Sequence, residues 1–188
     1  MTFQDYQDLF DDILDGKVTS PPYDDEHFLE YTKLNKSRQN RWLKKGEINH
    51  ELQGIVERIN KPQHWILITE PWCGDASHSV PFICMLAQLN PNINLEIQLR
   101  DADNSEIGNY LTNESKSIPI LVVRDANGKD LFRWGPRPEK CQEVFNEMKS
   151  KELAFVELKK ALQDWYNYDK GESLQNEIKS LLETIMYF

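Results

Sequence analysis

Cysteine is scarce in this chain: Cys73, Cys84 and Cys141 are the only three in 188 residues. So small and odd a number excludes a secreted scaffold stapled by disulfides and fits a reducing compartment. A basic surplus is also missing, since 22 Lys and Arg face 31 Asp and Glu for a net charge of −9. Most of the surface therefore repels nucleic acid and anionic membranes, and neither is expected as a partner. No apolar run approaches the about 20 residues of a membrane span. Met1-Thr2-Phe3-Gln4-Asp5-Tyr6 lacks the basic start and apolar stretch of a secretory signal, so a cytoplasmic location is expected. No His/Cys cluster has metal-ligand spacing, and no metal is expected.

What is present suits a folded domain: 39% apolar residues, 28% charged, and five Trp. Phe3, Tyr6, Phe10, Ile13 and Leu14 recur at helical spacing. A second helix is predicted from Asp24-Asp25-Glu26 to Lys45-Gly46, and a third spans Ile48 to Ile59. His64 to Thr69 is a short apolar run of buried-strand type, Asp75 to Leu89 is helical, and Ile93, Leu95, Ile97 and Leu99 alternate as a strand. A helical crossover makes those two strands parallel. Asp101 to Thr112 is predicted as a short helix. Ile118–Arg124 and Lys129–Trp134 flank the hairpin signal Asn127-Gly128. Phe145, Met148, Phe155, Leu158, Leu162 and Trp165 form one later apolar stripe, and Leu174, Ile178, Leu181, Leu182 and Ile185 form another. The expected division is a helical extension over 1–46, an α/β domain over 47–150, and a second helical extension over 151–188. The last is expected to pack on that domain or to present Trp165, Tyr166, Tyr168 and Phe188 to a second subunit.

Trp72-Cys73-Gly74-Asp75-Ala76, with Pro81 eight residues after the cysteine and Ser117-Ile118-Pro119 further on, resembles the thioredoxin active site Trp-Cys-Gly-Pro-Cys with its helix proline and cis-proline loop. Strand, motif, helix, alternating strand, Ser-Ile-Pro, hairpin and helix follow in the family's order over about residues 47–150. The resemblance implies a thioredoxin-like four-stranded mixed sheet, βαβ then ββα, with additional helices at both ends. It implies Cys73 as the nucleophile, Trp72, Gly74 and Asp75 as shapers of its surroundings, and Ile118 and Pro119 as a cis-proline platform for an extended substrate. The sequence departs from the family where Ala76 replaces the second cysteine, Asp75 replaces proline, and Leu67 stands where thioredoxins bury an aspartate.

A sulfur beside a helix N-terminus is expected to have a lowered pKa, whereas the Asp75 carboxylate two residues on opposes ionisation. Cys84 cannot resolve a mixed disulfide on Cys73: eleven residues of helix rise about 16 Å, against about 7 Å between the Cα atoms of a disulfide. Cys84 and Cys141 are expected to be structural. The loop Arg133–Pro138 follows the last strand, and Arg137 there either stabilises a thiolate, holds a ligand carboxylate, or pairs internally with Asp75 or Glu70. His78 is expected at the surface or as a cap. Two functions follow. One is single-thiol exchange through Cys73, as a monothiol oxidoreductase with no bound cofactor and glutathione as thiol co-substrate, acting on a protein or small-molecule disulfide. The other is a non-catalytic binding module using the cis-proline groove and the Arg133–Pro138 loop.

Overall fold

Trp65-Ile66-Leu67-Ile68 has no face to give to water, and a strand of this kind belongs at the centre of a sheet covered on both sides. The computed structural model, which describes residues 1–186, places it there. Strand β1 (Gln63–Thr69) lies between β2 (Ile93–Leu99) and β3 (Ile120–Asp125), with β4 (Asp130–Trp134) at the far edge, giving the order β2-β1-β3-β4. β1 pairs in parallel with β2, Gln63 opposite Ile93, and antiparallel with β3, Leu67 opposite Leu121. β3 and β4 form the antiparallel hairpin, with a register shift at Val123/Arg124. This is the mixed α/β sheet expected, with helices at both ends.

Local signals set where the helices begin. Helix α1 (Phe3–Leu14) opens on a reciprocal cap in which Asp5 N–H donates to Thr2 Oγ1 at 3.1 Å and Thr2 N–H to the Asp5 carboxylate at 2.8 Å. Asp25 caps α2 (Glu26–Lys45), and Asn49 caps α3 (His50–Glu57) by accepting from the N–H groups of Glu51 and Leu52. Helix α4 (Ala76–Gln88) is buried almost all round, from Ala76 through Cys84. The sheet covers its inner side, and α2 and α3 pack along it. The backbone of Met1 both donates to and accepts from Ile97 at 2.9 Å, which covers part of the β2 edge.

Two segments differ from expectation. Of the helix expected over 101–112, only a single 3-10 turn forms, Glu106–Asn109, because the Gln98 side chain accepts from Glu106 N–H at 3.1 Å and ties the segment to β2. The stripe from Phe145 to Trp165 is broken into α5 (Glu139–Ser150) and α6 (Phe155–Asp169), which fold back on each other where Glu152 takes a left-handed φ of 52°. That stripe stays largely outside the core, with Phe155 67% exposed. The C-terminal element that does enter the core is α7 (Glu172–Met186), through Leu174, Ile178 and Leu182, against α3 and β4. Glu177 on α7 accepts from Trp134 Nε1 at 2.6 Å and from Glu139 N–H at 2.7 Å, joining β4 and the start of α5. Phe188 lies outside the described residues.

Gly171, between α6 and α7, has φ +83°, and a Cβ there would stand 2.5 Å from the Phe82 ring of α4. Gly16 has a similar φ of +74° with nothing within 4 Å. Alanine at Gly16 should therefore cost about 1 kcal/mol of left-handed strain. Gly171→Ala should cost that plus about 1–3 kcal/mol of overpacking. Equal losses for the two variants in urea unfolding would show that Phe82 yields and that the α6–α7 junction is not fixed by this contact.

Candidate active site

The turn that carries Trp72-Cys73-Gly74 lies between the end of β1 and the start of α4, and within it Cys73 N–H donates to the Glu70 carbonyl at 3.1 Å. The Cys73 Sγ–H points across the site to the Ile118 carbonyl at 3.5 Å, and the Ile118–Pro119 peptide is cis. The chain therefore brings Cys73, Ile118 and Pro119 together across 45 residues of sequence. A neighbouring approach is equally tight: Gly135, at φ +114°, lies so near that a Cβ would fall 2.2 Å from the Pro119 carbonyl oxygen. Only glycine permits that approach of the Arg133–Pro138 loop. At Gly74, by contrast, a Cβ would meet only Arg38 Nη1 at 4.0 Å, so space does not require glycine there.

Charge at the mouth of α4 is concentrated on Asp75. One carboxylate oxygen pairs with Arg137 Nη2 at 2.7 Å, and the other accepts from the Tyr166 hydroxyl at 2.9 Å. Asp75 makes no side-chain cap to the helix it begins, because both oxygens are turned to these partners. Arg137 also donates to Gln142 Oε1 at 3.2 Å and stacks 4.3 Å over Phe145, which leaves its Nε without a partner. Of the three roles expected for Arg137, the structure shows the internal pair with Asp75. Arg133 is exposed and donates to the Leu111 carbonyl.

Burial decides the state of the sulfur. Cys73 is 7% exposed. Desolvation first and the Asp75 charge second push its thiol up to about 12, outweighing the Ala76 N–H and the Arg137 charge, which act the other way. The lowered pKa expected from the helix N-terminus is therefore overridden. Cys84, 1% exposed in the core, is also pushed well up by burial, and Cys141 rises to about 12.

The cover comes from both helical ends. Asn35 Nδ2 on α2 donates to the Pro71 carbonyl at 2.9 Å, and Arg38 donates to Asn35 Oδ1 beside Gly74. Phe28 meets Trp72 edge to face at 5.7 Å, and Arg100 lies 4.6 Å over the Trp72 ring. Tyr166, from α6, stacks on His78 at 4.3 Å with the rings 4° from parallel. His78 is not at the surface as expected but 5% exposed, accepting from Trp42 Nε1 at 2.9 Å, with its other nitrogen 3.3 Å from Gln163 Oε1. Trp42 as donor fixes the neutral ring with its proton on Nε2. Tyr166, 4% exposed, carries no sequence signal that separates it from Tyr168, which is 87% exposed.

Two measurements test this electrostatic account. Asp75→Asn should lower the Cys73 pKa and Arg137→Ala should raise it, each by roughly one unit for a partly screened contact charge. The pH dependence of Cys73 alkylation reads both, and shifts of the same sign would refute the account. His78 titrates near 6.5 when unfolded, but burial first and Arg38 second hold it at about 3 in the fold. The unfolded chain thus binds the extra proton between those values, so this group removes stability as pH falls through the window, by up to about 1.4 kcal/mol per unit. Glu70, raised by burial to about 7 from 4.5, acts with opposite sign: the fold holds its proton, and stability is lost as pH rises through that range. The quantity to measure is accordingly the stability gap between wild type and His78→Gln. That gap should move against wild type from pH 7 to pH 4, and a constant gap would count against a buried neutral histidine.

Comparison with known proteins bears on the fold and the family. A search of the curated proteins finds no match. Among solved structures, an HIV 4E10 epitope scaffold aligns with a TM-score of 0.58 at 16% identity, covering 98% of this chain and 99% of its own. A protein of unknown function from Pseudomonas aeruginosa aligns with a TM-score of 0.51 at 20% identity, covering 76% of this chain and 86% of its own. At these identities the likeness is one of fold. The thioredoxin family model matches residues 22–149, a span containing α2, the whole sheet, Cys73, Pro119 and Arg137. With its motif turn, cis-Pro119 and mixed sheet all within that match, the chain belongs to the thioredoxin family.

Proposed function

We propose that this protein performs thiol–disulfide exchange through a single thiol, Cys73. The observation that carries the reading is the seat of the sulfur: in the turn just before α4 and 3.5 Å from the Ile118 carbonyl beside cis-Pro119, with Ala76 where a second thiol would be. In the reaction the Cys73 thiol loses its proton, its sulfur attacks one sulfur of a small-molecule or protein disulfide, and the other sulfur leaves as a thiolate. An external thiol, with glutathione as the natural class, then attacks the mixed disulfide and restores Cys73. Cys84 lies a helix length away in the core and takes no part. Burial and Asp75 keep the resting thiol protonated, so exchange is slow unless the cover from α2 and α6 opens.

The same burial favours a second reading, a non-catalytic binding module in which the Pro119 groove and the Arg133–Pro138 loop hold a partner and Cys73 is a packed thiol. Oxidised glutathione separates the two. Under native conditions it should leave one adduct on Cys73, seen by intact mass, absent in Cys73→Ser, and with no intramolecular disulfide formed. No adduct on the folded wild type over the pH range in which it stays folded would support the binding module and end the single-thiol reading.

A further inference from the structure

The fold partly buries four of the chain's seven arginines, and to three of them it supplies a carboxylate. Arg100 pairs with Asp101 at 2.7 Å, Arg124 with Glu106 and Asp130, and Arg137 with Asp75 at 2.7 Å. Arg38 on α2 is the fourth, and among the described residues it forms no ion pair. Its one hydrogen bond to those residues runs from Nη1 to Asn35 Oδ1 at 3.0 Å, so most of the five-donor guanidinium fork is unused. Burial first, and then the charge of Arg41 one turn on, work against its cation. Asp75 acts the other way, but both of its oxygens are already held by Arg137 and Tyr166. Desolvated charges are normally paired, so an unpaired cation in this position marks a place for an anion that arrives with a ligand.

Arg38 is also tied to the turn that bears Cys73. Asn35, 0% exposed, accepts from Arg38 and donates through Nδ2 to the Pro71 carbonyl at 2.9 Å. A Cβ on Gly74, the residue after the cysteine, would meet Arg38 Nη1 at 4.0 Å and, chain neighbours aside, no other atom within 4 Å. The guanidinium therefore faces the residue next to Cys73 with no side chain between them. Arg41 stacks 4.3 Å over Trp42 and uses one donor on Asn167 at 2.8 Å. Both guanidinium charges act on His78, so two cations lie beside the first turn of α4.

We propose that Arg38 selects the disulfide that Cys73 attacks, by holding a carboxylate of that partner through its free N–H groups. This rests on the single-thiol reading and assigns its substrate class: disulfides with a carboxylate near the reacting sulfur, glutathione among them, are taken in preference to neutral or cationic ones. A carboxylate suits the fork better than a neutral acceptor, because charge-assisted bonds are about twice as strong and two can form in parallel. On a chain of net charge −9 an anionic partner is repelled elsewhere, so local cations decide where it can approach. Arg38 binds and exchanges neither proton nor electron. In the step itself the Cys73 proton passes to solvent, its sulfur bonds to one sulfur of the partner, the partner's S–S bond breaks, and the other sulfur leaves as a thiolate.

The test compares rates of mixed-disulfide formation on Cys73 in the full chain, read by intact mass, for oxidised glutathione, the neutral bis(2-hydroxyethyl) disulfide and the cationic cystamine. Each rate is divided by that of a small free thiol with the same disulfide, and on that scale wild type should favour glutathione. Arg38→Met keeps the stem and removes the charge. It should lower the glutathione rate relative to the neutral one by roughly tenfold or more, the low end for a hydrogen bond to a charged group. Arg38→Lys should recover only part of that ratio, since an ammonium keeps the charge without the fork. If Arg38 serves only to hold Asn35 and the turn, the three rates change together, and an unchanged ratio in Arg38→Met overturns the proposal. Should that variant fail to fold, wild type alone decides. S-methylglutathione, which has the carboxylates and no free thiol, should protect Cys73 from iodoacetamide while its diethyl ester does not, and equal protection by both, or by neither, overturns the proposal. Adducts that form on wild type without preference for glutathione remove the role of Arg38 and leave the single-thiol reading standing, whereas no adduct with any of the three disulfides removes both.

Discussion

Helix α4 has almost no polar face, from Ala76 to Ala87, so each element around it must act as cover. The sheet supplies one side. Elsewhere α2 lies along it, α3 packs against it, and Gly171 brings the α6–α7 junction onto the Phe82 ring. The helical ends are thus conditions for burying α4 rather than appendages to a finished domain. Because α4 is fixed on all sides, its first turn is fixed too, and with it the position of Cys73 opposite Pro119.

That burial sets the chemistry as well as the shape. A helix N-terminus favours a thiolate, but its partial charge acts against the full cost of desolvating an ion, and here desolvation wins. Asp75 adds a like charge, and Arg137, which would offset it at the sulfur, is largely committed to Asp75. A thiol in these surroundings rests protonated, so any exchange depends on where its proton goes.

α6 and α2 meet at the same place. Tyr166 joins the Asp75 carboxylate to the His78 ring, and Trp42 and Gln163 hold the two nitrogens of that ring. Three helices far apart in sequence therefore share one buried polar network beside the turn that bears Cys73. A network of this kind fixes geometry while all its members are satisfied and becomes costly when one is removed.

The sequence by itself determined the elements of the sheet and the turn that bears Cys73. Period-two alternation in Ile93–Leu99, the unbroken apolar run before the motif, Asn127-Gly128, and the acidic start Asp24-Asp25-Glu26 of α2 are local signals whose physics acts within a few residues. Burial of Cys84 and Leu67 was legible for the same reason, since an apolar residue in a buried run has one destination. Tertiary structure alone decided that Tyr166 turns inward while Tyr168 stays in water, that His78 is buried and neutral, that Gly135 rather than Gly74 is the glycine required by a close approach, and that α7 rather than the Phe145–Trp165 stripe fills the core. It also decided that Cys73 is held as a thiol. Each of these depends on which distant side chains come within a few ångströms, and desolvation and charge pairing respond to that distance in space, which spacing along the chain does not encode.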